Sequence, residues 1–157
     1  MIRTRLVPFG RAAVVAATVV AFCATSLGAG ASTQLTKPQY IAKGDAICGT
    51  AIRQLKQLGS LTGRPGAARY GAQWLTIDRR TLAGLRRLSV PPADRTTITA
   101  LLKLADVAIN KGVAPAVSAA KSGSSANYQA AAKRAVAMIN RAHAAARAYG
   151  FSACSRW

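Results

Sequence analysis

Four stretches of this chain repeat apolar residues every three or four positions, and no stretch alternates them every second position. The first is Ile41, Cys48, Ala51, Ile52, Leu55 and Leu58. The second is Ala67, Tyr70, Trp74, Ile77, Thr81, Leu85 and Leu88. The third is Ile98, Leu101, Leu102, Ala105, Ala108, Ile109, Gly112, Val113 and Ala116. The fourth is Tyr128, Ala132, Ala135, Ile139, Ala142, Ala146 and Tyr149. Such spacing gathers side chains on one face of a helix, whereas a strand would need a period of two. The pattern therefore predicts an all-α chain, folded as an antiparallel up-down-up-down four-helix bundle.

Local signals set the boundaries. Thr36 and Gln39 have capping-box spacing and Pro38 suits a first turn, so the first helix runs from about Pro38 to Leu58. Gly59 to Gly66 reads as a loop, and the second helix spans about Pro65 to Ser89. Pro91-Pro92 ends it, because the residue before a proline is pushed away from helical angles and proline lacks the backbone donor. Asp94 is the predicted cap of the third helix, which Pro115 should kink or end early. Ser122 to Ser125 is the last loop, with Ser124 or Ser125 as the cap of the fourth helix. Gly44, Gly71, Gly84 and Gly112 on or beside the apolar stripes predict close helix approach.

The N-terminus has the order of a secretory signal. Arg3, Arg5 and Arg11 precede an uncharged apolar run from Ala12 to Ala24, and Ala29-Gly30-Ala31 is an A-x-A cleavage site. Cleavage after Ala31 gives residues 1–31 as leader and 32–157 as a single helical domain. The alternatives are an uncleaved membrane anchor and a lipoprotein modified at Cys23; against the latter, Phe22 stands where the lipidation motif wants a small residue. The expected location is therefore secreted or cell-envelope associated. Removing the leader leaves two cysteines, Cys48 and Cys154, and an even count in an exported chain predicts a disulfide; two separate buried thiols are the alternative. Gly150 can end the fourth helix in a left-handed conformation, with Phe151 making the contact of a Schellman cap. Cys48 lies about ten residues into the first helix, roughly 15 Å along its axis. The tail after Gly150, at about 3.3 Å per residue, can fold back over nearly that distance.

Tyr40, Ile41, Ile47 and Cys48 at the start, Pro91 and Pro92 in the middle, and Gly150, Phe151 and Cys154 at the end resemble small secreted two-cysteine helical proteins of actinobacteria. The resemblance spans most of the mature chain. It implies export and a two-cysteine helical fold, and it brings no active site.

Chemistry is sparse. The chain has 22 Lys and Arg against four acidic residues, all Asp. Without Arg3, Arg5 and Arg11, 19 cations remain against four anions, a net charge of +15. Such a balance favours solubility and anionic partners and says nothing about fold. Arg69, Arg79, Arg80, Arg86 and Arg87 all read as lying opposite the second apolar stripe. They are either an anion-binding face, for an envelope polymer or lipid headgroups, or simply a solvated surface. No aromatic residues alternate with them, which argues against base stacking and sequence-specific nucleic-acid recognition. His143, the one histidine, sits on the flank of the fourth stripe with no second histidine to join it. Asp94 reads as a cap, and Asp45, Asp78 and Asp106 suit ion pairs. No haem, phosphate-loop or metal-ligand motif is present, so no catalytic residue, cofactor or metal is assigned. The predicted role is a non-enzymatic exported protein that binds an anionic partner through its basic surface. The rival is a small secreted enzyme of chorismate-mutase type, in which Arg and Lys pointing inward clamp a carboxylate substrate. The ligand and the oligomeric state are not legible in the sequence.

Overall fold

A computed structural model describes residues 34–157; the leader, cleavage after Ala31 and lipidation at Cys23 lie outside the described residues. Helices α1 (Lys37–Leu58) and α2 (Gly63–Arg86) are followed by a 3-10 turn (Pro92–Asp94). Then come α3 (Arg95–Val107), a π-helical segment (Ala108–Val113), α4 (Ala114–Lys121) and α5 (Ser125–Tyr149). No strand occurs among the described residues. Because α3, the π segment and α4 follow one another without a break, the described residues form four helical lengths, as the periodicity predicts.

The caps follow the chemistry of the sequence. Thr36 accepts from the Gln39 backbone N–H, and the Gln39 side chain accepts from the Thr36 N–H, so two otherwise orphaned donors are satisfied. Ser124 caps α5 through the Asn127 N–H. At the other end of α5, Gly150 adopts φ 117°, the Gly150 N–H reaches Arg147 and the Phe151 N–H reaches Ala146. These are the paired bonds of a Schellman motif, and Phe151 is buried beside Ala146.

Three expectations need correction. The loop before α2 covers only 59–62, because α2 already starts at Gly63; Pro65 falls in its first turn, where a missing N–H costs nothing. Asp94 precedes α3 but its side chain caps nothing; it accepts a 2.9 Å bond from the Tyr149 hydroxyl instead. Of the two outcomes expected at Pro115, a kink or an early end, the early end does not occur: the third helical length continues to Lys121. Just before the proline, the Ala114 N–H donates to Ile109, five residues back, and this wider π turn takes up the register change that the proline ring demands.

The buried faces also differ in phase. In α2 the inward residues are Ala67, Gly71, Leu75, Thr81, Leu82 and Leu85, while Tyr70, Trp74 and Ile77 are only half-buried. One core cluster joins Tyr40, Cys48, Leu85, Ile98, Tyr149, Phe151 and Cys154; a second joins Leu75, Leu82, Ala105, Ile109 and Val117. Trp157 packs against both. Tyr40, Tyr149 and Phe151 stack at ring-centroid distances of 5.4–6.2 Å, Tyr40 and Tyr149 edge to face. Close approach is found at three of the four glycines. A Cβ at Gly71 would lie 2.5 Å from Val117, one at Gly44 2.5 Å from Phe151 of the tail, and one at Gly112 3.1 Å from the Ala135 backbone. At Gly84 the nearest atom, on Ile47, is at ordinary contact distance.

Candidate functional site

The C-terminal tail is built into the core. Cys48 and Cys154 form a disulfide across 106 residues, with Cα atoms 5.1 Å apart. One turn before Cys48, Asp45 grips the same tail. Its carboxylate accepts from the backbone N–H groups of Ser152, Ala153 and Cys154 and from the Ser152 hydroxyl, at 2.8–3.0 Å. Burial alone would raise the Asp45 pKa; these four donors outweigh it and hold the group below its ordinary value. The sequence carried a signal for this clamp, since Asp45 and Cys48 are three apart and share a helix face.

Folded back this way, the tail delivers Trp157 to the wall of an interior cavity of about 130 Å³. Its lining is chiefly aliphatic and aromatic, from α1, α2, α3, the π segment, α5 and the tail. The polar groups on it are few: Asp78, His143, Tyr40 and the two indoles, Trp74 and Trp157. Asp78 is expected from the sequence at the edge of an apolar face, in an ion pair. It lies instead in phase with Leu75 and Leu82, on the inward side of α2, and no cation among the described residues pairs with it. Burial raises its pKa to about 6; the nearby Trp157 indole favours the ionised form without making a hydrogen bond of normal geometry. The indole N–H groups of Trp74 and Trp157 are both buried and have no partner. Each such orphaned donor costs on the order of 1–3 kcal/mol. His143 is half-buried and its Nε2 contacts the Trp157 backbone oxygen.

The five arginines do not form one face. All are exposed, but they divide between two sides of α2, roughly a quarter turn apart. Arg79 donates to Asn110 at 3.2 Å and Arg86 pairs with Asp106 at 3.0 Å, so both are drawn toward α3 and the π segment. Arg69 lies over the Tyr70 ring, and Arg80 and Arg87 rim a groove between α1 and α2. Arg86 with Asp106 is the one ion pair among the described residues. The expected pairing thus holds for Asp106 alone among the three aspartates.

Among the described residues no group of three His, Cys, Asp or Glu side chains converges to hold a metal, and no helix is long and apolar enough to cross a membrane. No family model, no curated protein and no solved structure matches this chain.

Proposed function

We propose that this is an exported, non-enzymatic protein of the cell envelope or extracellular space that binds phosphate-bearing polyanions through the outward side of α2. The observation that carries the reading is the trio Arg69, Arg80 and Arg87. They are exposed, lie on one side of the helix, and have no carboxylate within ion-pair distance, in a chain of net charge +15 after loss of the leader. A surface arginine already paired gives up one interaction to gain another; an unpaired one does not, so the trio contributes more to binding than Arg79 and Arg86. Export is supported by the leader pattern, by the disulfide and by the resemblance to secreted actinobacterial proteins. The helices would run up-down-up-down. Contacts between Tyr40 near the start of α1 and Tyr149 at the end of α5, between Asp94 and Tyr149, and between Arg64 and Ala120 agree with that order. The enzyme reading needs inward cations to clamp a carboxylate, and the interior cavity is lined by neither Arg nor Lys.

The test is binding at two ionic strengths to a polyglycerol phosphate, to anionic vesicles and to a DNA duplex. Affinity should fall steeply with log salt. On the duplex, changing Arg69, Arg80 and Arg87 to Gln should flatten the slope by about two to three, close to one for each lost phosphate contact. Changing Arg79 and Arg86 should flatten it less. Equal slopes for wild type and the triple variant would reduce these arginines to a solvated surface. The strongest of the three partners identifies polymer, membrane or nucleic acid as the source of the phosphate.

A further inference from the structure

The interior cavity has no part in binding at the outer face, and a few polar groups stand on its otherwise apolar lining. We propose that it is a binding site for a small neutral molecule with an apolar ring and one hydroxyl group. Its volume, about 130 Å³, is close to the roughly 150 Å³ of apolar cavities that take up a single benzene-sized ring. The lining supplies the matching walls, with Leu101, Leu102, Ile109 and Ile139 among them.

The polar groups select the functional group. Trp74 and Asp78 are four apart on α2, one turn from each other on the same face, and Trp157 approaches Asp78 from the tail. Together they present two indole N–H donors without acceptors and one carboxylate without a cation. A hydroxyl answers both needs at once, because it donates to the carboxylate and accepts from an indole N–H. A carboxylate or phosphate ligand would satisfy the indoles but be repelled by Asp78. An ammonium ligand would satisfy Asp78 but leave both indole donors unpaired and meet the strong positive charge of the chain. A pure hydrocarbon would leave all three unsatisfied.

Access is provided at one side. A surface groove bordered by Lys56, Gly59, Ser60 and Arg156 shares Leu55, Trp74 and Trp157 with the cavity. The two indoles therefore stand between that groove and the cavity. These are also the only two tryptophans of the chain, so its tryptophan signals report on this site alone.

The experiment titrates the full folded protein with cyclohexanol and, separately, with cyclohexane, following tryptophan emission and the two indole N–H resonances. Cyclohexanol should shift both resonances and bind about five- to tenfold more tightly than cyclohexane, the worth of one net hydrogen bond. Asp78→Leu should abolish that preference while retaining binding of the hydrocarbon. The comparison of the two probes on wild-type protein stands even if the variant does not fold. Equal affinity for both probes, or a preference that survives in Asp78→Leu, would overturn the assignment. So would indole signals that neither probe moves, as expected if the cavity holds only water.

Discussion

Two aspartates with opposite environments contribute to stability with opposite dependence on pH. Asp45 has a lowered pKa because of the donors around it, so its contribution is present above the ordinary carboxylate value of 3.8 and is lost as pH falls through its lower folded value. Asp78 has the reverse sign. Its pKa is raised from 3.8 to about 6, so the folded state holds a proton that the unfolded chain has released, and stability falls as pH rises from about 4 through about 6. The full effect is about 3 kcal/mol, of which about 2 kcal/mol falls between pH 4.5 and 7.5. Tyr40 on α1 and His143 on α5 are the other titratable groups on the cavity. Comparing urea unfolding of wild type with Asp78→Asn at those two pH values isolates Asp78 from both. Wild type should lose about 2 kcal/mol relative to the variant on going to the higher pH. A constant difference would show that Asp78 meets water freely. None of this was legible from residue type, because an aspartate among 19 cations reads first as a partner for one of them.

At the scale of the element, the sequence was informative about helices and less so about their faces. The four helical lengths, the capping box at Thr36 and the Gly150 cap were legible because they depend on neighbours in the chain. The rotation of α2 was not. Tyr70 and Trp74 are the largest residues of apolar character in that helix and, with Ile77 in phase, drew the predicted face toward themselves. The packing is instead set by Gly71, which has no side chain to mark it. Val117 of α4 enters the space that glycine leaves, and Leu75 and Leu82 follow it inward. Gly71→Ala tests this directly. Alanine should favour an isolated helix by about 1 kcal/mol. Here its Cβ would lie 2.5 Å from Val117, and overpacking of that kind costs about 1–3 kcal/mol. The single variant should therefore be no more stable than wild type, and adding Val117→Ala should recover much of the loss that the glycine change adds. Unfolding free energies of all four proteins in a double-mutant cycle give the coupling. If Gly71→Ala stabilises on its own, the helices are free to move apart and the glycine does not set the phase.

For the molecule as a whole, the tail is held twice, by the disulfide and by Asp45, and the two restraints act on different states. The bridge closes a 106-residue loop that contains most of the bundle, so its main effect is to limit the unfolded chain. On the chain-entropy account this is worth about 4–5 kcal/mol, while calorimetric accounts place more of it in enthalpy and solvation. The Asp45 clamp and the burial of Phe151 and Trp157 belong to the folded state alone. A double variant, Cys48→Ala with Cys154→Ala, should accordingly lose about 4–5 kcal/mol of stability, less any compensation as the small cavity closes, yet keep its tail docked. The measurement pairs urea unfolding with the tryptophan emission of the folded state. Low stability with native emission is the expected result, since Trp157 remains on the cavity wall through the contacts that the variant leaves intact. A loss below about 1 kcal/mol would mean that the unfolded chain is already compact enough for the bridge to restrict little. Emission shifted toward that of a solvated indole would mean that the disulfide, rather than Asp45 and the apolar contacts, holds the tail in place. Adding Asp45→Ala to the double variant then separates the contributions: if the clamp holds the tail, this third change releases Trp157, and the wall it forms between solvent and cavity goes with it.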